Sequence, residues 1–334
     1  VREFPAGHTY SSSRGFERYY DLETRLAARP DGELETIRAI RQTLRRTVHS
    51  HLMADVTLGV FLSGGLDSSL ISAIVCEEMS GVHSFAVGMD GSADLGYARQ
   101  MARHLGTHHH EYVYTAAEMR EILPKVIFYL ESFDPALVRS AIANYFLARV
   151  AADHVKVVLS GEGADELFGG YAYLDRFDSQ GDLDRELIAI TNGLHNSNLQ
   201  RLDRMTMAHS IEGRVPFLDT DFVEMALSIP IEHKLRTRER GEKWMLRKAF
   251  EGTLPENILW RKKQKFASGA GSDQIFKHIA EEELSDSMYA AEASRILHED
   301  GYSVRSKEEL LYYRVFRDVF PAEAVPLVGF SRSL

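Results

Sequence analysis

The sequence predicts an α/β fold: a mostly parallel sheet with helices on both faces, followed by a mainly helical C-terminal half. Three observations carry this prediction. Short apolar runs alternate with runs of helical periodicity through the first half of the 334-residue chain. Two of these apolar runs end in Ser-Gly, where a strand would turn into a loop. After Tyr171 helical periodicity dominates, with breaks at Pro216 and Pro230.

The predicted elements follow in a regular order. Residues 1–20 alternate aromatic, small and polar residues and predict an edge hairpin. Residues 31–53 predict a helix, because apolar residues recur there at helical spacing. Strands are predicted at 58–62, 82–87, 110–114 and 156–159, and helices at 70–79, 95–105, 119–130, 141–152, 183–235 and 242–250.

Composition narrows the class of protein. A formal net charge of -10 argues against nucleic-acid partners, which require a cationic surface. The single cysteine, Cys76, allows neither an intrachain disulfide nor a cysteine-rich zinc site and suits a reducing cytoplasm. With no run of 18 apolar residues and no signal-peptide pattern, we expect a cytoplasmic protein without a membrane partner. Because the chain begins with Val1, we expect a processed product or a piece of something longer.

A glycine loop follows the first buried run, with the sequence Ser63-Gly64-Gly65-Leu66-Asp67-Ser68-Ser69. Glycines let the backbone approach an anion, and the N-terminus of the next helix offers N–H groups and a positive dipole end. Asp67 would repel phosphate unless a cation lies between them, so it is a candidate magnesium ligand. The alternative is an ordinary glycine turn capped by Asp67 and the serines. The loop lacks the Gly-Lys-Ser/Thr ending of a Walker loop.

A second loop, Ser160-Gly161-Glu162-Gly163-Ala164-Asp165-Glu166-Leu167-Phe168-Gly169-Gly170-Tyr171, follows the strand predicted at 156–159. Loops after parallel strands meet at one edge of a sheet, where ligands bind. Asp165 is therefore expected to share a cation with Asp67, and Glu162 is a candidate proton acceptor. A solvated acidic turn is the alternative, and it suits Glu166 best.

The first loop resembles the SGGxDS loop of the ATP pyrophosphatases (adenine nucleotide alpha hydrolase-like proteins), which cleave ATP between the α and β phosphates. The order of motifs resembles the glutamine-dependent, B-type asparagine synthetases over nearly the whole chain. Those motifs are SGGLDSS (63–69), HSFAVG (83–88), GTHHHEYVYT (106–115), SGEGADELFGGY (160–171), EGRVPFLD (212–219), GEKWMLRKAF (241–250) and RKKQKF (261–266).

The resemblance implies that ATP and aspartate give β-aspartyl-AMP and pyrophosphate, and that ammonia then gives asparagine and AMP. It implies that Glu162 deprotonates the attacking ammonium and that Lys263 stabilises the charge of the departing pyrophosphate. It also implies that Asp67 and Asp165 are ligands of magnesium. The ATP-binding residues it implies are Leu62, Ser63, Gly64, Gly65, Asp67, Ser68, Val87, Ser160, Gly161 and Lys243. The flexible loop 267–272 is expected to close over the site.

Substrate identity is the point where the sequence departs from the family. Arg139 aligns with the arginine expected to hold the substrate carboxylate, as a guanidinium fork can. Well-studied members carry two threonines just before it, where this chain has Ala136 and Leu137. Additional predicted substrate residues are Asp203 and Arg204, with His209 and Glu212 as further candidates. Asp203 and Arg204 are equally compatible with a structural ion pair, and the segment 214–219 is predicted to be architectural.

Residues 1–20 resemble the end of the family's N-terminal glutaminase domain, which leaves 21–334 as the synthetase domain. The family's glutaminase nucleophile is an N-terminal cysteine, and Cys76, on the helix after the first loop, is predicted to be core. We therefore expect the chain to use ammonia directly or to receive it from a glutaminase domain in cis or in trans. The other expected partners are the small-molecule substrates and a second copy in a homo-oligomer.

The sequence is also compatible with other interpretations. β-Lactam synthetases and lasso-peptide cyclases share the architecture and join a different amine. A catalytically silent ATP-binding homologue would not need Glu162, Asp67, Asp165 and Lys263 together. An RNA-thiolating enzyme would require a basic surface and catalytic cysteines. Finally, the run His108-His109-His110 suggests a metal site, but successive strand side chains point to opposite faces, so these three are predicted not to converge on one ion.

Overall fold

The computed structural model describes residues 4–24, 30–177, 179–234, 240–263, 269–271 and 274–330. Its first strands, β1 (His8–Ser11) and β2 (Gly15–Arg18), pair as an antiparallel hairpin, as predicted. The strands of the main sheet are β3 (Leu58–Phe61), β4 (His83–Gly88), β5 (His108–Val113), β6 (Val157–Leu159) and β7 (Glu212–Arg214). They pair in parallel in the order β5-β4-β3-β6-β7.

The α-helices that the structure describes follow the chain as α1 (Glu33–Ser50), α2 (Leu66–Glu78), α3 (Ala93–Leu105), α4 (Ala116–Leu130), α5 (Pro135–Ala152), α6 (Ala164–Leu167), α7 (Gln180–Asn192), α8 (Asn198–Met207), α9 (Thr220–Ser228), α10 (Trp244–Ala249), α11 (Glu256–Leu259), α12 (Ile275–Glu283), α13 (Asp286–Asp300) and α14 (Lys307–Val319). Short 3-10 helices lie at Leu22–Thr24, Ala172–Arg176, Gly193–Asn196, Pro216–Leu218, Ile231–His233 and Ala322–Leu327. Among the described residues, every helix is too short or too polar to cross a lipid bilayer.

The chain divides into two units, each assembled from three segments. The sheet unit comprises Val48–Glu162, Gly193–Pro216 and Phe250–Leu334 and contains the whole parallel sheet. The hairpin unit comprises Val1–Thr47, Gly163–Asn192 and Phe217–Ala249 and contains β1 and β2. The predicted boundary at residue 20 stays a prediction about the family's domains.

Helices cover both faces of the sheet, as the alternation of strands and helices predicts. Along β4, Ala86 packs in a cluster with Leu95 and Ala98 of α3. Its neighbours Phe85 and Val87 join the large core that α4, α5 and α14 share. Because successive strand residues point to opposite faces, α3 and α5 lie on opposite sides of β4.

The largest errors in the predicted element bounds concern α2, α5 and β7. Helix α2 begins at Leu66, not Leu70, because the last residues of the glycine loop already adopt helical geometry. Helix α5 begins at Pro135, not Ala141; Asp134 caps it by accepting a hydrogen bond from the backbone N–H of Leu137. The region predicted as helix at 183–235 contains strand β7, which lacks the apolar pattern of a strand and pairs with β6 through its backbone.

Candidate active site

The first glycine loop lies where β3 leads into α2, as predicted. Gly64 has φ +70°, and a Cβ there would lie 2.4 Å from the backbone carbon of Tyr97, so only glycine fits. The loop is tied internally, because the hydroxyls of Ser63 and Ser68 are 3.0 Å apart and the N–H of Ser63 donates to Ser68 Oγ. The N-terminus of α2 thus follows a rigid turn, the geometry that suits phosphate binding.

The second glycine loop meets the first. A Cβ on Gly161 would lie 2.7 Å from the backbone nitrogen of Ser68 and 2.8 Å from the carbonyl carbon of Asp67. The loop is held in place by the N–H of Ser160, which donates to the Arg214 carbonyl oxygen at 2.9 Å. The carboxyl ends of the neighbouring strands β3 and β6 therefore carry Asp67, Ser68, Ser160 and Gly161 as one continuous surface.

Arg261 contacts the first glycine loop and two residues of helix α3 beside it. Its guanidinium donates to the Gly64 carbonyl oxygen at 3.2 Å and to Asp94 Oδ1 at 2.6 Å, and it lies 3.9 Å from the ring centre of Tyr97. Burial raises the pKa of Asp94, and the ion pair with Arg261 opposes that shift. Sequence reasoning missed this role, although Arg261 opens the RKKQKF motif.

The position of Arg261 also limits that of Lys263. Two residues span at most about 7 Å between Cα atoms, so the Lys263 backbone lies close to a residue that touches the phosphate-binding turn. The Lys263 side chain is partly buried and the neighbouring Lys262 is exposed. Residues 264–268, 272 and 273 lie outside the described residues, so the predicted closing loop 267–272 is described only at 269–271.

Glu162 has a partner that the sequence analysis missed. Its carboxylate accepts a hydrogen bond from the guanidinium of Arg201, on α8. The Arg201 side chain is 8% exposed and that of Glu162 is 21% exposed, so the pair is largely shielded from water. The only sequence signal for Arg201 was its position on the buried stripe of an amphipathic helix, where an arginine is unusual.

Asp165 and Lys243 lie together in the hairpin unit. The ammonium of Lys243 is 2.5 Å from Asp165 Oδ1, and the Lys243 side chain is 3% exposed. The Gly169–Gly170 turn leaves the room for this pair, since a Cβ on Gly170 would lie 1.9 Å from the same carboxylate oxygen. The predicted metal ligand is thus paired with a buried cation. Both residues keep their predicted roles as hypotheses.

Arg139, the predicted substrate residue, binds a carboxylate of the protein itself. Its Nε donates to Glu308 Oε1 at 2.7 Å, and its Nη2 contacts the other oxygen, a two-pronged pair between α5 and α14. Glu308 is 4% exposed and also accepts a hydrogen bond from Tyr312. The Arg139 guanidinium is therefore engaged by Glu308 in this structure, and its role toward substrate stays a prediction.

The contacts described for the remaining substrate candidates are with residues outside the two glycine loops. Asp203 and Arg204 lie on the exposed side of α8, and Arg204 pairs with Glu131 at 2.8 Å rather than with Asp203. His209 packs edge-on against Tyr145 at 4.4 Å, and burial lowers its pKa.

Glu212 is the first residue of β7 and therefore lies at the amino-terminal ends of the strands, whereas the glycine loops follow their carboxyl ends. Its carboxylate pairs with Arg214. That arginine also donates to the carbonyl oxygens of His51 and Met53, a structural role. Val87 is buried at the carboxyl end of β4, and Leu62 is tied to that strand by an N–H that donates to the Phe85 carbonyl oxygen at 2.8 Å.

Similarity to known proteins extends over nearly the whole chain. The model of the asparagine synthase family matches residues 39–185 and 175–325. The chain is 38% identical to a probable glutamine-hydrolyzing asparagine synthetase of Schizosaccharomyces pombe, over 97% of this chain and 63% of that protein. It is 36% identical to asparagine synthetase B (glutamine-hydrolyzing) of Escherichia coli, over 98% of this chain and 62% of that protein.

The matched part therefore amounts to about three fifths of each of these relatives. The family match extends through both glycine loops and the segment containing Arg261 and Lys263. The chain belongs to the asparagine synthase family.

Proposed function

We propose that this chain is an ATP-dependent amide synthetase that forms β-aspartyl-AMP from aspartate and converts it to asparagine with ammonia. The observation that carries the proposal is the contact of Gly161 with the start of α2, which joins two glycine loops at one sheet edge. The relatives are named asparagine synthetases, and asparagine as their product implies aspartate as the substrate. Membership of the asparagine synthase family supports the use of ATP.

In the first half-reaction, an oxygen of the aspartate side-chain carboxylate attacks the α-phosphorus of ATP and pyrophosphate leaves. Leu62, Ser63, Gly64, Gly65, Ser68, Val87, Ser160, Gly161 and Lys243 are the residues proposed to hold ATP. The N-terminus of α2 stabilises phosphate charge through its N–H groups and dipole. Lys263 is proposed to stabilise the charge that develops on the departing pyrophosphate.

Magnesium suits the oxygen donors of this chain. Asp67 contributes a carboxylate next to the phosphate-binding turn, and Asp165 contributes a second carboxylate, which is paired with Lys243 in this structure. Asp67 and Asp165 are the residues proposed to hold the ion. When bound, it would offset phosphate charge that Asp67 otherwise repels.

In the second half-reaction, Glu162 is proposed to accept a proton from ammonium, which releases ammonia for attack on the acyl carbon. AMP then leaves with the electrons of the broken acyl–phosphate bond, and the new amide nitrogen loses its extra proton to the departing phosphate. Arg201 orients the Glu162 carboxylate through its hydrogen bond. Arg139, Asp203 and Arg204 remain proposed contacts of the amino-acid substrate, with Arg139 bonded to Glu308 in this state.

The experiment that tests the proposal is ATP–pyrophosphate exchange with a panel of carboxylic acids, aspartate first, and with no acid as the control. Aspartate is expected to support exchange, and added ammonium is expected to yield asparagine with AMP. ADP as the product would contradict the adenylation chemistry altogether. Exchange with another acid and none with aspartate would retain adenylation and replace the substrate, the alternative that Ala136 and Leu137 leave open.

A further inference from the structure

Histidines gather at the amino-terminal edge of the parallel sheet, away from the glycine loops. His83 begins β4, and His108 and His110 lie in β5, with His83 paired to His108 and Phe85 paired to His110. Alternate residues of a strand share a face, so all four side chains lie on the face that α5 covers. His154 follows the end of α5 by two residues and reaches the same place.

The imidazoles of His83, His110 and His154 converge at short range. His83 Nδ1 is 2.9 Å from His110 Nε2, and the rings of His110 and His154 are stacked with their centres 3.8 Å apart. One nitrogen from each of the three lies within 4.8 Å of the others. Two nitrogens bonded to one ion at about 2.0–2.1 Å lie at most about 4.2 Å apart, so a small movement of these side chains would place all three on a single ion.

The surroundings resemble those of a metal site more than those of a solvated cluster. The fully buried ring of Phe85 stacks at 5.2 Å on His110 and at 5.9 Å on His154, which gives the cluster an apolar wall. His154 itself is exposed, so an ion can enter from solvent.

The three consecutive histidines 108–110 do not converge, as strand alternation predicts. His109 points to the opposite face, where its ring contacts Ser84 Oγ at 2.8 Å and Glu111 at 3.0 Å. The ligand set instead takes one residue from β4, one from β5 and one from the loop after α5. A sequence pattern cannot show this set, because its members are 27 and 44 residues apart along the chain (83 to 110, and 110 to 154).

We propose that His83, His110 and His154 form a binding site for a divalent transition-metal ion of the zinc class. Three imidazoles without a carboxylate favour zinc, cobalt, nickel or copper over magnesium, which prefers oxygen ligands. The fourth position is open to water or to His108, whose ring centre is 5.3 Å from that of His83. The ion would link β4, β5 and the chain segment that leads into β6. The proposal does not depend on the proposed ligase activity.

The test is metal titration of the untagged chain, without nucleotide, by calorimetry with Zn²⁺ and by visible absorption with Co²⁺. We expect one saturable equivalent and the intense visible bands of four-coordinate cobalt. His154→Ala is the first variant, because this exposed loop residue is the least needed for folding. It should weaken the affinity by at least about 10-fold, the loss that even an outer-shell change causes. His83→Gln should weaken it similarly.

The matched control is His104→Ala, which removes an exposed histidine from the last turn of α3. It should bind Zn²⁺ as the unaltered chain does. Excess Mg²⁺ should not displace the cobalt bands, which separates this site from the proposed carboxylate site. Equal affinity in the unaltered chain and in His154→Ala, or no saturable binding at micromolar metal, would overturn the proposal.

Discussion

The carboxylate of Glu162 and the guanidinium of Arg201 form a hydrogen-bonded ion pair that is largely shielded from water. Glu162 is the last residue of the sheet-unit segment Val48–Glu162, and Arg201, in the same unit, reaches it from α8. This pairing fixes the orientation of the residue proposed to accept the ammonium proton. It therefore links a packing feature to the amide-forming step.

We expect Glu162→Gln to separate the two half-reactions. Loss of a general base typically lowers a rate by about 10²–10⁴, so asparagine formation should fall by that factor while ATP–pyrophosphate exchange with aspartate persists. The control is Glu282→Gln, since Glu282 is exposed on α12 and has no proposed role, so this variant should retain both activities. Undiminished asparagine yield from Glu162→Gln would remove this residue from the mechanism.

The two neighbouring lysines of the RKKQKF motif should behave differently. Lys263→Ala should lower ATP–pyrophosphate exchange by about 10²–10³, the usual effect of losing a group that stabilises transition-state charge. Lys262→Ala is the matched control, because its side chain is exposed, and it should exchange normally. Both variants should retain the thermal unfolding midpoint of the unaltered chain. If the two rates are indistinguishable, Lys263 has no role in pyrophosphate release.

The close approach of the two glycine loops predicts that Gly161→Ala is damaging. The added methyl would lie 2.7 Å from the Ser68 nitrogen, and shifting a packed backbone typically costs about 1–3 kcal/mol. Urea unfolding should show this loss, and the KM for ATP should rise. Gly96→Ala is the opposite case, because an added Cβ on this α3 glycine has no heavy atom within 4 Å. It should raise the free energy of unfolding by about 0.5–1 kcal/mol. A normal KM for ATP in Gly161→Ala would contradict the proposal that the two glycine loops together bind the phosphates of ATP.

The thiol of Cys76 should react slowly. Burial raises its pKa from 9.0 to about 11, which lowers the thiolate fraction at neutral pH about 100-fold. An aromatic disulfide reagent at pH 8 should therefore modify the folded chain much more slowly than the chain in 6 M guanidinium chloride. Equal rates in the two conditions would show that α2 does not protect this side chain.

Sequence patterns predicted the parts of the fold that follow from local chemistry. The apolar runs at β3 and β4 and the glycines after β3 identify the sheet and the turn, and the helix after the loop follows from periodicity. The start of α5 was missed although Asp134 and Pro135 carry a recognisable cap and first-turn signal. Strand β7 could not be predicted, because its residues pair through the backbone and carry no alternation.

For the candidate site, sequence motifs identified the loops but not the residues that brace them. Arg201, Arg261 and Glu308 act through contacts between elements that are distant along the chain, and such contacts have no local pattern. The same limit applies to His154, whose neighbours come from two strands. Sequence motifs thus identify the backbone turns, whereas tertiary packing determines which charged side chains contact those turns.

The register of β3 has a consequence for how the protein is made. Leu58 pairs with Val157, roughly 100 residues further along the chain, so the strand that supports the first glycine loop lacks one neighbour until that later segment has left the ribosome. Pairings of such wide sequence separation are slow to form and leave apolar edges exposed meanwhile. Nascent chains that stop between these two strands should therefore be clients of chaperones.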